Sequence, residues 1–330
     1  MPRSEEFRER LRMTQPQLWI CAPSRALMSS AAENEVDHAR IDAAEAALHA
    51  LGWTVCEADN VRSLARSFAG EDDERARGFE QAMCAPEADL VLALRGGSGA
   101  ARILDKVDWD AVGASQAVFA GFSDLTAINL ALLARCGKAS WQGPVAASFA
   151  QTDALRDERF MRALSGPSFE QTFSAQGEDV HVEGFLWGGN LSVLTSLIGT
   201  PYFPKVDDGI LYLEDVNEPA WRISRMISQL RLSGVLSRQK LVLAGDFTGA
   251  DRNAGVGGAR YALQDALREC GVAVIRGLPF GHIASSLTLP FGVKGEVRMV
   301  GGELTVRAFD CPVPTEFPGA EQANGPLWWI

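Results

Sequence analysis

Ala120-Gly121-Phe122-Ser123-Asp124-Leu125-Thr126 joins an apolar run, residues 116–120, to a segment, residues 125–136, whose apolar positions recur at helical spacing. The run reads as a buried strand, so the quoted stretch reads as a sharp strand-to-helix turn. A serine there projects its hydroxyl above the sheet edge, and the backbone N–H groups that follow point at whatever the hydroxyl attacks. Gly121, two residues before Ser123, is expected to permit the strained backbone of such a turn. The hydrolase elbow pattern wants a second glycine where Leu125 stands. A serine that simply caps a helix has the same local sequence, since Ser and Asp are favoured caps.

Around this turn, the first half of the chain alternates strand and helix signals. Residues 18–22 form a short apolar strand ending at Pro23-Ser24, and residues 33–51 place Val36, Ile41, Ala44, Leu48 and Leu51 near one helical face. Gly52 stops that helix and residues 53–56 begin the next strand. Residues 72–83 read as an amphipathic helix, and residues 90–94 as a buried strand entering Arg95-Gly96-Gly97-Ser98-Gly99. This rhythm predicts an α/β fold with a mostly parallel, doubly wound sheet through about residue 149. The second half is richer in strand signals, at residues 182–187, 210–213, 241–246, 272–275 and 296–300, with helices at 190–198, 220–230 and 261–269. The expected organisation is a polar extension (1–16), an N-terminal domain (17–150), a linker (151–180) and a C-terminal domain (181–330).

Composition narrows the function. With 330 residues, 47% hydrophobic and 22% charged, the chain has the make-up of a globular protein large enough for two domains. A net charge of −11 without a Lys/Arg cluster argues against a nucleic-acid partner. No stretch approaches a membrane span, and the first residues lack the apolar core of a secretory signal. Six scattered cysteines without a Cys-x-x-Cys pair suit reduced thiols, so a cytoplasmic location is expected.

Gly96-Gly97-Ser98-Gly99 is placed to offer N–H groups to an anion. It is a poor dinucleotide fingerprint, because Arg102 takes the third glycine's place and the loop comes late in the α/β domain. No compact metal-ligand spacing appears, and neither a metal nor a cofactor is expected. Ile210-Leu211-Tyr212-Leu213-Glu214-Asp215 runs an apolar strand into two carboxylates, which either begin a solvated loop or have a task. Among four histidines, His38 and His49 fall on a surface helix and His181 beside the linker, which leaves His282 in Pro279-Phe280-Gly281-His282 as the leading base. Ser123, Glu214 and His282 each fall at the end of an expected strand. A serine becomes nucleophilic when a base takes its proton, and that base needs an acid to fix its tautomer.

With these residues in place, the chain resembles the LD-carboxypeptidase family, the muramoyltetrapeptide carboxypeptidases, from about Leu18 to Val293. The resemblance is carried by Ala22-Pro23-Ser24, Phe68-Ala69-Gly70, Arg95-Gly96-Gly97, Gly121-Phe122-Ser123-Asp124-Leu125-Thr126-Ala127-Ile128 and Gly143-Pro144. It continues through Glu183-Gly184-Phe185-Leu186-Trp187-Gly188-Gly189-Asn190-Leu191, Leu197-Ile198-Gly199-Thr200-Pro201, Leu213-Glu214-Asp215-Val216 and Phe280-Gly281-His282. It implies a flavodoxin-like N-terminal domain and a smaller β-rich C-terminal domain, with Ser123 as nucleophile, His282 as base and Glu214 as the acid that orients it. It implies cofactor-free removal of a terminal D-alanine from muropeptide tetrapeptides in peptidoglycan recycling. On this reading the N–H groups of Gly97 and Asp124 form the oxyanion hole, and Ser98, Trp187 and Asn190 shape the substrate cleft. Ser98 stands where the family usually has tyrosine. A homodimer is the expected assembly. The rival readings are a microcin C-type self-immunity peptidase with the same triad, and a non-catalytic α/β protein that binds a peptide or nucleotide.

Overall fold

Short apolar runs build the first sheet: β1 (Gln17–Cys21), β3 (Leu90–Ala93) and β4 (Val118–Gly121), with β2 (Thr54–Glu57) at one edge. Every residue of β3 and β4 is buried, as strands covered by helices on both faces require. The strand order is β11-β5-β4-β3-β1-β2, where β5 is Ser140–Gln142 and β11 is Leu289–Phe291. All neighbours are parallel except β11, which comes from the C-terminal half and pairs antiparallel to β5. The helices of this half are α1 (His38–Ala50), α2 (Asp72–Cys84), α3 (Trp109–Ala114) and α4 (Thr126–Ala131). The computed structural model describes residues 15–30, 34–250 and 263–318. Most of the expected polar extension, residues 1–14, therefore lies outside the described residues, as do the starts of the expected helices at 33 and 261.

The second sheet has seven strands in the order β10-β9-β8-β7-β12-β13-β6. Strands β7 (Val180–Asn190), β8 (Gly209–Val216), β9 (Gln239–Thr248) and β10 (Val274–Arg276) are parallel. Strands β12 (Val293–Val300), β13 (Glu303–Ala308) and β6 (Phe169–Ser174) continue it antiparallel. The helices of this half are α6 (Leu191–Ser196), α7 (Ala220–Leu232) and α8 (Leu263–Arg268).

The expected linker at 151–180 is not an irregular one. It carries α5 (Ala154–Leu164) and the edge strand β6. Both were hard to see because each buries little: α5 packs Phe160, Ala163 and Leu164, and in β6 only Phe169 is buried. The helix expected at 125–136 also divides, with α4 passing into a π-helical turn at Leu132–Cys136.

Two glycines decide how the halves meet. Gly188 and Gly189, near the end of β7, have φ of 145° and 125°. A Cβ on Gly189 would lie 2.5 Å from Gln142 Nε2 and 2.6 Å from Thr126 Oγ1, so only glycine permits this approach. Across the junction Asn190 N donates to Thr126 Oγ1 (3.1 Å) and Gln142 Nε2 donates to Gly188 O (3.4 Å), while Gln142 Nε2 and Thr126 Oγ1 are themselves bonded within the first half (3.1 Å). The carboxyl ends of β7 and β8 are thereby seated beside the turn that follows β4.

Candidate active site

Ser123 stands at the end of β4 with φ of +65°, a conformation that costs free energy in any residue bearing a Cβ and clusters at functional sites. The strain falls on the serine itself rather than on Gly121. Gly121 instead makes room: a Cβ there would sit 2.8 Å from that of Leu125. Leu125, where the hydrolase pattern has glycine, is fully buried against it.

His282 lies on the loop after β10, with Nε2 3.1 Å from Ser123 Oγ and Nδ1 2.8 Å from Glu214 Oε2. Glu214 is completely buried and the imidazole half-buried. A hydrogen-bonded Ser–His–Glu chain thus spans both halves of the molecule. Phe122 flanks the imidazole at 4.8 Å between ring centres and packs edge-on against Phe280. The other histidines lie elsewhere: His38 is exposed at the start of α1, His49 Nδ1 bonds Trp53 O, and His181 pairs with Glu296 on the exposed face of the second sheet.

The two carboxylates at the end of β8 separate, as alternation along a strand demands. Asp215 turns from His282 and accepts from Ser192 N (2.9 Å), Val216 N (2.8 Å) and Asn190 Nδ2 (3.2 Å). Burial pushes its carboxyl up to about 6; the charge of Glu214 adds to the push and the three donors oppose it. The folded protein therefore holds a proton that the unfolded chain releases near pH 4. That contribution to stability is full below pH 4 and lost as pH rises through about 6, a loss of about 3 kcal/mol. Urea unfolding of Asp215→Asn, relative to the unmodified protein, should shift by about that much in the variant's favour between pH 4 and pH 7. A difference that stays flat with pH would show that Asp215 does not titrate in this window.

The glycine loop after β3 packs against the serine. A Cβ on Gly96 would lie 3.0 Å from Ser123 Cβ and 3.1 Å from Phe122 O. Gly97 (φ +122°) follows, and Asp124 N is among the first N–H groups of a short 3₁₀ turn, which have no partner within the turn. The buried Asp124 carboxylate ties the loop down, accepting from Ala100 N (2.9 Å) and Ser24 Oγ (2.6 Å), while Ser24 Oγ also lies 3.1 Å from Ser98 O. Buried Arg75 adds bonds to Pro23 O (2.7 Å) and Gly99 O (2.8 Å). Gly96→Ala should keep the fold and lower the rate at which a fluorophosphonate labels Ser123 by at least about tenfold, because a displacement well under 1 Å is costly in an aligned site. An unchanged rate would mean that the loop gives way freely.

Three residues expected to shape the substrate cleft fare differently. Ser98 is exposed at the loop tip. Trp187 is fully buried in the second half, its Nε1 donating to Gln239 Oε1 (2.8 Å) and its ring edge-on to Phe203, so it builds core rather than cleft. Asn190 is buried as well. Its Nδ2 bridges Glu214 Oε1 (3.0 Å) and Asp215 Oδ1, and its Oδ1 caps α6 through Val193 N (3.1 Å), so it holds the Glu214 carboxylate in place.

A clamp from the expected linker went unread. Asp153, the N-cap of α5, accepts from Ser285 N (3.1 Å) and Ser285 Oγ (2.8 Å), and Arg159 donates to Ser285 O. Together they fix the loop that carries His282. An aspartate just ahead of a helical segment was the available signal.

His282 and Phe122 line a cavity of about 550 Å³ with Arg40, Gly143 and Pro144. Among the described residues no group of three or more His, Cys, Asp or Glu is arranged to hold a metal ion.

Comparison with known proteins gives the family. Residues 20–143 match the LD-carboxypeptidase N-terminal domain, and residues 183–297 match the LD-carboxypeptidase C-terminal domain. The crystal structure of muramoyltetrapeptide carboxypeptidase from Oxalobacter formigenes is similar with a TM-score of 0.80 and 32% identity, over 90% of this chain and 100% of that one. The murein tetrapeptide carboxypeptidase of Pseudomonas aeruginosa is 30% identical over 71% of this chain and 80% of its own length. The microcin C7 self-immunity protein MccF of Escherichia coli is 26% identical over 68% of this chain and 76% of its own length. With both domain models matched and relatives of this identity and coverage, the chain belongs to the LD-carboxypeptidase family.

Proposed function

We propose that this protein is a serine carboxypeptidase that removes the terminal D-alanine from muropeptide tetrapeptides, in the recycling of peptidoglycan. The hydrogen-bonded chain from Ser123 through His282 to buried Glu214 is the observation that supports this reading most strongly. In it His282 Nε2 takes the Ser123 proton as Oγ attacks the scissile carbonyl, and Glu214 holds the Nδ1–H and stabilises the imidazolium. The oxyanion is held by the N–H groups of Asp124 and of Gly97, the latter in a loop that the Asp124 side chain already ties down. His282 then gives its proton to the leaving amine, and water hydrolyses the acyl-enzyme in a second cycle through the same groups.

The substrate class rests on the names of the two carboxypeptidase relatives. Incubating the protein with free tetrapeptide and sugar-linked tetrapeptide, and with an acyl-nucleotide amide in parallel, tests it. Release of D-alanine from either peptide is the expected result. Cleavage of the nucleotide amide alone would move the protein to the self-immunity reading.

The same reading places the enzyme in the cytoplasm as a homodimer. All six cysteines are free thiols, and among the described residues no helix is long and apolar enough to cross a membrane. Sedimentation velocity showing only monomer at micromolar concentration would remove the dimer.

A further inference from the structure

Three arginines stand around the glycine loop and the cavity beside Ser123. Arg95 leads directly into Gly96, the residue packed on Ser123. The stem of exposed Arg25 lies over Gly97, where an added Cβ would meet Arg25 Cδ at 2.8 Å. Arg40 lines the cavity shared with His282 and Phe122. Arg95 Nη1 donates to Ala26 O (3.2 Å), next to Arg25, and Arg40 Nη2 approaches Ala147 O at 3.4 Å.

The cluster is unbalanced. Among the described residues none of the three has an ion-pair partner, and the buried Arg40 Nε has no hydrogen-bond partner. Arg156, a fourth guanidinium on the cavity, is by contrast taken up by Asp157 and the carbonyls of Ser148 and Gln151. Burial, together with the charges of Arg25 and Arg40, holds the Arg95 guanidinium below its usual range. The charge of the buried Asp124 carboxylate reaches Arg25, but that carboxylate is taken up by Ser24 Oγ and Ala100 N and forms no ion pair with the three. Grouped like charges without a paired counter-ion are stabilised when an anion enters, and planar guanidinium forks match a carboxylate.

We infer that Arg25, Arg40 and Arg95 form the seat of the substrate's terminal carboxylate, on the residue that leaves. The inference rests on the peptidase reading above and adds to it a reason for acting only at a chain end. In a peptide the terminal carboxylate follows the scissile carbonyl by one residue, about 4 Å, within an arginine's reach of Ser123. A chain that continued past that point would bring a neutral amide to three unpaired cations.

The test uses full-length Ser123→Ala protein, so that binding is read without turnover. Two tetrapeptides are titrated, one ending in a free carboxylate and the other in a carboxamide. The carboxylate form should bind at least about tenfold more tightly, the scale of one charge-assisted hydrogen bond. Adding Arg95→Gln or Arg40→Gln should reduce that advantage to less than about threefold, with Arg25→Gln intermediate. The two-peptide comparison needs no change to any arginine, so it stands even if a variant fails to fold. Equal binding of the two peptides, no binding of either, or an advantage that survives all three substitutions overturns the inference. If the unmodified protein releases no D-alanine while the carboxylate advantage persists, the peptidase reading fails and the arginine seat stands.

Discussion

Ser123→Ala lowers turnover by at least about 10⁴-fold while leaving a folded protein, the scale for losing a triad nucleophile. The expectation follows from position as well as chemistry. Ser123 carries positive φ at the end of a fully buried strand, and removing Oγ deletes one hydrogen bond at the rim of the cleft. Because nucleophile and base act as a unit, Ser123→Ala combined with His282→Ala should be little worse than either alone. Stopped assays of D-alanine release, with circular dichroism as the folding control, measure both. Near-normal turnover in Ser123→Ala would remove the nucleophile assignment.

Glu214→Gln has the next largest expected effect, a loss of about 10²- to 10⁴-fold in turnover with the fold retained, the upper end being that of the comparable change in a Ser-His-Asp enzyme. Glu214 is fully buried and accepts from Asn190 Nδ2 at one oxygen while facing His282 Nδ1 with the other. An amide in that place presents an N–H donor either to Asn190 or to the imidazole, so it favours the wrong tautomer or breaks the support behind the acid. Asp215→Asn, whose side chain bonds Ser192 and Val216 instead, should act mainly on stability. The reverse order of effects on turnover would mean that the acid is wrongly assigned, even with Ser123 and His282 in place.

The residues differ in how openly the sequence displays them. Ser123 was legible because the strand before it and the helix after it are both strongly patterned. His282 was legible because the chain has four histidines and the rest fall on exposed elements. Choosing Glu214 over Asp215 required knowing which face of β8 meets the loop, which local pattern does not reveal and the family resemblance did. Strand β5 escaped notice because its buried residues include Ser140 and Gln142, whose polarity is matched only by the distant partners Asn129, Thr126 and Gly188. Trp187 misled for the opposite reason: it shares a stretch with Asn190, which reaches Glu214, but its own side chain points into the core. The arginine cluster was invisible, because its members come from three separate segments and each alone reads as an ordinary surface cation.

Strand β11 follows the His282 loop by only a few residues and returns to close the edge of the first sheet beside β5. The order of synthesis therefore matters. When the ribosome has made the first half, Ser123 has been synthesised, but neither His282 nor the strand that covers the sheet edge exists yet. The segment that delivers the imidazole is continuous with the one that seals that edge, so hydrolytic power and a finished sheet arrive together. On the proposed mechanism a chain that stops before His282 should be dormant. Its open edge would instead offer unpaired N–H and C=O groups to other chains, so cutting this protein at its apparent domain boundary should yield aggregation rather than a half-active enzyme.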